Sequence, residues 1–435
     1  MKQIVVALVL SACLSLAAFG QEKVTLTVLN QIDATQAGYA EDKLIWEKFA
    51  AENPDITIEK EELFNEPFHD KVRAYIAAGT IPDVQFMWPS GRSTDLHQKK
   101  LTKDLAILLG KEYLAGFVPA AIDPANQLSR KLAELPQSVT YTSVMYANVG
   151  LLKSLGLKVP KTYADLKALV PRLKAKGIDT VLMANKDQWP MQSCLFSTIS
   201  GRLLGDKFID DVLAGKAKFT DQGFVDALNV VAKLYADGII SRDTLQLGYG
   251  ESPARFASGK AAFLIDGDWR QGNFLTDKTT GTGLLPPERQ KNDIELMAFP
   301  ALPGEKNPGT VSAIVGVGYG VSAAIPAGSA KEKAAVRLIK YLYSPEVLKI
   351  RLETGTFIPS RKGVTSAKLE PLTVKMMDFY ASVPRTTYVL DGVLPAAAND
   401  PLNAGLQAIG LGTKTPVEVA RDMQVKTEEW RMSKK

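Results

Sequence analysis

Between residues 24 and 29 the chain reads VTLTVL, an alternation that puts Val24, Leu26 and Val28 on one face and predicts a strand. From 39 to 52 the spacing changes to three and four, with Ile45, Trp46, Phe49 and Ala50 as the apolar stripe of a helix. DITIEKE from 55 returns to alternation, Phe68, Val72, Tyr75 and Ile76 mark a second helix, and DVQFMW from 83 reads as a third strand. Strand, helix, strand, helix, strand at this close spacing predicts an α/β fold with a parallel sheet flanked by helices.

The same vocabulary continues downstream. Thr162 followed by Asp165 signals a helix start, Leu166, Leu169, Val170 and Leu173 form its stripe, and Gly177 ends it; Pro171 inside the stripe predicts a kink. Phe224, Ala227, Leu228, Val231, Leu234 and Tyr235 predict another helix, stopped at Gly238. Ser329 with Glu332 opens one that runs through Ala335, Leu338, Ile339 and Leu342 to Ser344-Pro345. At 435 residues the chain exceeds the ~100–200 of one domain, so two lobes are expected. There is no internal repeat and no Gly/Ser-rich linker, which predicts lobes joined by several ordered crossings, at 134–148 and 294–304. The expected division is 21–136 with 300–350 in one lobe and 137–299 with 351–435 in the other, with a hinge and a cleft between them.

Charge and export signals narrow the setting. Lys and Arg number 52 against 47 Asp and Glu, and the signs are interspersed, which argues against a nucleic-acid-binding face. The first twenty residues carry Lys2, an apolar run and small residues at Ala18 and Gly20, the layout of a secretory signal peptide with Gln21 as the mature start and a periplasmic destination. LSAC at 10–13 also matches the pattern at which lipoproteins are cut and acylated, here on Cys13; the apolar LSLAAF that follows favours plain cleavage. No later run reaches the ~20 apolar residues of a membrane span. Cys194 is the only other cysteine, so the mature chain has no internal disulfide.

The two histidines, His69 and His97, are expected on solvated surfaces. HExxH, GxSxG, Walker-type loops and Cys/His clusters are absent, so no metal, cofactor or acyl-transfer chemistry is indicated. GVGYG at 316–320 lacks the Lys and helix of a phosphate loop and reads as a tight strand. Glycoside hydrolysis stays open, because it requires only two facing carboxylates, whose separation a sequence does not set. A binder of a non-sugar solute such as a polyamine or metal chelate is a further alternative.

Tryptophan is more informative. Trp46 and Trp430 sit where packing suffices, but Trp88, Trp189 and Trp269 each fall where a strand or apolar run gives way to turn residues: QFMWPSG, KDQWPMQ and IDGDWRQ. Ligands of open α/β sheets sit beyond the carboxyl ends of strands. A pyranose face of C–H groups packs on an indole while edge hydroxyls seek hydrogen bonds. Asp268, Arg270, Arg92, Asn30, Gln31 and Gln188 are the nearby polar groups for those bonds.

FASGKAAFLIDGDW at 256–269 resembles the F-x-x-G-x-A-A and G-x-W signature of bacterial extracellular solute-binding proteins of the maltose-binding type. AAGTIPDVQFMW at 77–88, SVMYANVGLLKSLGLKVPKTYADLKAL at 143–169 and GVSAAIPAGSAKEKAAVRLIKYLYSPE at 320–346 agree in order and spacing. The resemblance implies a two-lobe periplasmic-binding fold, a sugar or oligosaccharide held between the lobes without catalysis or cofactor, and a monomer that delivers it to an ABC permease. It further implies that Trp269 stacks on the ligand with Gly267 allowing a tight turn, and that Trp88 and Trp189 present cleft aromatics. Tyr141 and Tyr146 fall in the hinge segment, where Ala147 departs from the usual residue, and Arg385 and Tyr388 are added to the site. Relatives often place an acidic residue after the strand ending at Trp88; Pro89-Ser90-Gly91-Arg92 stands here, which implies an acidic or differently substituted sugar.

Overall fold

The first strand, β1 (Val24–Asn30), pairs in parallel with β2 (Ile56–Glu62) from Val24 opposite Ile56 to Asn30 opposite Glu62. β3 (Val84–Met87) adds in parallel to the other edge of β1. The computed structural model describes residues 23–433 except 37, 89–92, 123–130, 278–279, 316 and 356; the export segment with Cys13, and Arg92, lie outside the described residues. The connections are the helices Tyr39–Glu52 and Glu66–Ala77, as the periodicity predicts. Ile45, Trp46 and Phe49 are buried, but Ala50 is exposed; Glu41 and Asp42 are buried in its stead, because the first turn of that helix faces a cavity rather than solvent.

The chain then runs through β4 (Glu134–Pro136), β5 (Val139–Tyr141) and β6 (Val144–Asn148). β6 belongs to a second sheet with β7 (Asp179–Leu182), β8 (Ala261–Asp266) and β9 (Ile294–Met297), in the order β7-β8-β6-β9. Met145, Ala147, Phe263 and Ile265 join one core, while Val144, Tyr146 and Leu264 join another on the opposite face. A sheet covered on both faces explains why these strands are apolar runs rather than alternations. β10 (Val311–Val315) pairs antiparallel with β5, and β11 (Gly318–Val321) returns to the first sheet between β3 and β4, giving β2-β1-β3-β11-β4. β12 (Thr386–Thr387) pairs with β10.

Both main sheets are therefore mixed, a correction to the parallel expectation. β11 is antiparallel to β3 and β4, and β6 is antiparallel to β8 and β9. Local spacing reveals the βαβ connections of β1, β2 and β3; the antiparallel pairs, β11 with β3 and β4 and β6 with β8 and β9, join strands far apart in sequence. Gly318 and Gly320 are required by close approach: a Cβ on Gly318 would lie 1.8 Å from the Leu135 carbonyl oxygen, and one on Gly320 would lie 2.3 Å from Met87 Sδ. The described part of GVGYG, from Gly318, forms the strand β11, in keeping with the expected tight strand.

The crossing expected at 134–148 is present as β4 to β6, but 294–304 stays with the second sheet. Arg202, 1% exposed, donates to the carbonyls of Phe299, Pro300 and Thr310 and holds that Pro-rich stretch against the second core. The return is made instead by β10 and β11. Residues to Lys362 remain on the first side, where Ser360 donates to Gln137 and Lys362 to Gly116, and the helix Pro371–Ser382 then packs on β9. Thr162 and Asp165 form a reciprocal cap, and Pro171 falls in the last turns of a helix, Tyr163–Lys174, that runs without a break where a kink was expected.

Candidate functional site

The ends of β1, β3 and β8 converge with the crossing strands on one cavity of 260 Å³ between the two main sheets. Trp88 leaves β3, Trp269 follows β8 through Gly267, and Trp189 opens a short helix after Gln188, whose φ of 66° turns the chain sharply. All three indoles are half-buried and line this cavity.

The second-sheet wall is an aromatic cluster with a charged backing. Trp189 lies 4.8 Å from Tyr249 and 6.2 Å from Trp269, centroid to centroid. Trp269 Nε1 donates to the Tyr249 hydroxyl, which donates in turn to Asp266 Oδ1 at 3.0 Å. The Arg270 guanidinium sits 3.9 Å over the Tyr249 ring and pairs with Asp266 at 2.7 Å, both nearly buried, so the cation is neutralised and stacked before any ligand arrives. Trp189 Nε1 is buried with no partner among the described residues.

Gly267 acts differently from expectation. Its φ of −77° is open to any residue, so the turn does not require glycine; a Cβ there would lie 2.2 Å from the Trp269 ring, so the missing side chain is the seat of the indole. Asp268, 1% exposed, accepts from the Tyr141 backbone N–H at 2.7 Å and from the Tyr380 hydroxyl, while its Oδ1 accepts no hydrogen bond. Burial outweighs those donors and pushes the carboxyl up to about 7.

On the first-sheet wall, Trp88 Nε1 donates to Gln31 Oε1 at 2.7 Å, and the His69 ring lies 5.8 Å from the indole. Asp42 accepts from Asn30 at 3.1 Å, from Trp46 Nε1 at 2.9 Å and from Arg351 at 2.8 Å; Arg351 also donates to Gln137, and the Tyr319 hydroxyl to Asn30. This network fixes a buried cation and anion against the cavity, with every partner supplied by the chain itself.

Residues 33–349 match the family described as bacterial extracellular solute-binding protein. The chain belongs to that family. This solute-binding protein is 24% identical over 360 residues to the multiple sugar-binding protein of Streptococcus mutans, covering 81% of this chain and 79% of that one. Among solved structures it is similar to a chitin oligosaccharide binding protein, with TM-score 0.81, 24% identity, and 94% of this chain and 99% of that one covered. It is also similar to a maltose/maltodextrin-binding domain from Bdellovibrio bacteriovorus bound to maltotriose, with TM-score 0.72, 23% identity, and 94% and 100% covered. Those likenesses agree with the two-lobe α/β architecture.

Of the residues singled out in sequence, the solute-binding protein brings Asn30, Gln31, Trp88, Trp189, Asp268, Trp269 and Arg270 to the cavity. Gly267 and Tyr141 stand behind it, and Tyr146 donates to the Gly267 carbonyl at 2.9 Å. Three others are not brought there. Gln188 donates to Gln407, Arg385 is exposed and donates to Asn307, and the Tyr388 ring packs toward the second core while Val389 reaches the cavity. The histidine expectation is corrected too: His69 is buried on the cavity wall, and burial, with Lys131 nearby, lowers His97 to about 4.

Asp42, Tyr249, Tyr319, Arg351 and Asp391 line the cavity and were missed. One carried a signal: Asp42 lies four and seven residues before Trp46 and Phe49, an acid on the apolar stripe of its own helix. Tyr249, Arg351 and Asp391 sit in unremarkable local sequence and reach the cavity only through tertiary packing. Among the described residues no group of three or more His, Cys, Asp or Glu is placed to hold a metal ion, and no helix is long and apolar enough to cross a membrane.

Proposed function

We propose that this chain is the extracytoplasmic solute-binding component of an ABC importer, exported by residues 1–20 to the periplasm, and that it carries a sugar to a membrane permease as a monomer without altering it. The ligand packs its C–H faces on Trp88, Trp189 and Trp269, and its hydroxyls bond to groups at the cavity edge, with Gln31 and Asp268 Oδ1 among them. One observation carries this reading: three half-exposed indoles surround a single cavity, Trp88 and Trp269 from strand ends in two different sheets and Trp189 from the start of a short helix. The sugar ligands named for the Streptococcus mutans relative and for the two solved structures support the same class.

The bodies that close on the sugar are 24–136 with 317–362 and 144–310 with 371–433, turning about β5 and β10. A ligand touching both favours the closed form through contacts that the open form lacks. The carboxylates at the cavity fit binding better than hydrolysis. Among the described acids that line the cavity, Asp42 is held by three donors, Asp391 accepts from Asn399, and Asp268 alone keeps an oxygen without a hydrogen bond, so they offer no pair of free acids facing each other.

A thermal-shift screen over neutral sugars, acidic sugars, polyamines and metal salts tests the proposal, since a ligand that binds only the folded chain raises its melting temperature. Stabilisation by sugars, with the same sugars recovered uncleaved, is the expected result. Stabilisation by amines or metals alone, or release of shorter sugars, would overturn it.

A further inference from the structure

Tyr249 joins the second-sheet wall from a segment apart from both of its indoles. It opens the turn Tyr249–Glu251, just ahead of the helix Ser252–Ala257, and its backbone is clamped there: the carbonyl accepts from Ser252 Oγ at 3.2 Å and from Arg270 at 3.3 Å. The side chain is clamped as well. With the guanidinium of Arg270 over its ring at 3.9 Å and the Trp189 ring 4.8 Å away, it is packed between a cation and an indole.

The hydroxyl completes the frame. It has a single proton to give, which goes to Asp266 Oδ1, and its oxygen then accepts the Nε1–H of Trp269. Asp266 is fixed in turn, because the Gly267 backbone N–H donates to the same Oδ1 at 2.8 Å and Arg270 Nε donates to Oδ2 at 2.7 Å. A carboxylate paired with a guanidinium only accepts, so each bond of the relay from Trp269 through Tyr249 to Asp266 has one direction.

Tyr249 therefore touches both indoles of this wall by different means, Trp189 with its ring and Trp269 with its hydroxyl, and the two indoles stand 6.2 Å apart at 45°. Stacking depends on offset and tilt, and a surface held in place before the ligand arrives avoids the cost of ordering it on binding. We propose that Tyr249 is the positioning residue of the sugar site. Backed by Asp266, it locks Trp189 and Trp269 at a fixed mutual angle, so the ligand meets a ready two-plane surface. It acts through the indoles, and its hydroxyl makes no bond to the ligand.

This inference rests on the sugar reading above, and its test separates the two. The full mature chain is titrated calorimetrically with maltotriose, xylotriose, chitotriose and raffinose, and whichever binds is carried through the variants. Tyr249→Phe keeps the ring and removes only the hydroxyl; affinity should fall about fivefold, as for one lost orienting hydrogen bond. Trp269→Phe keeps a ring at the other end of that bond but has no Nε1–H, so adding Tyr249→Phe to it should cost no further affinity. A readout on the native chain stands even if Tyr249→Phe impairs folding. The Trp269 indole N–H resonance, assigned by its loss in Trp269→Phe, should be protected from solvent exchange before any sugar is added. Unchanged affinity in Tyr249→Phe, a fivefold loss that persists in the Trp269→Phe background, or free exchange of that N–H overturns the positioning role alone. Failure of all four sugars to bind the native chain removes the sugar reading, and the positioning role with it.

Discussion

A methyl group on Gly267 would lie 2.2 Å from the Trp269 ring, so Gly267→Ala is expected to push the indole off its seat. Stacking is worth ~1 kcal/mol, and sugar affinity measured by calorimetry should fall about fivefold although no ligand-facing atom has been removed. Asp268 gives a prediction in pH. Burial raises its carboxyl to about 7, above the unfolded value near 4, so the folded chain holds this proton more tightly. Its contribution to stability is complete below about pH 4 and is lost as pH rises toward 7. Asp268→Asn is neutral throughout, so its melting temperature relative to the native chain should climb between pH 4 and 7. His97 works in the opposite direction below pH 6.5 but is common to both proteins and cancels in the difference. At this scale the tryptophans were legible because a large aromatic beside turn residues at a strand end has few other uses. Arg351 and Asp391 were not, because a charged side chain in a helix looks the same whether it meets water or a buried partner.

Among elements, β11 shows how closely the first sheet is fitted. Gly318→Ala would place its Cβ 1.8 Å from the Leu135 carbonyl oxygen and force β11 away from β4; backbone cannot move aside as a flexible side chain can. A loss of ~3 kcal/mol or more is expected, read as a lowered denaturant midpoint with unchanged slope. The helices were legible from periodicity, and the cap at Thr162 and Asp165 from two residues. β1, β2 and β3 were legible as parallel because short βαβ connections allow little else. The direction of β4, β6 and β11 was not, since it depends on which side of the molecule the chain enters from. For the same reason Phe299 and Pro300 read as a crossing: their apolar, Pro-rich sequence does not disclose that Arg202 ties them to the second core.

For the molecule as a whole, the crossing strands carry a compact hydroxyl network: the Thr142 hydroxyl lies 2.8 Å from that of Ser312, and Thr198 donates to Ser312 at 3.0 Å. The closure proposed above turns about these strands, so small-angle scattering should show the radius of gyration fall when a binding sugar is added. An unchanged radius would count against closure. The most direct test of the central claim takes one indole from each side. Trp88→Ala and Trp269→Ala are titrated calorimetrically with the same sugar, beside melting curves that confirm each is folded. If one sugar is gripped between the two sheets, each substitution weakens its binding about fivefold or more. Native affinity in either folded variant would contradict the account.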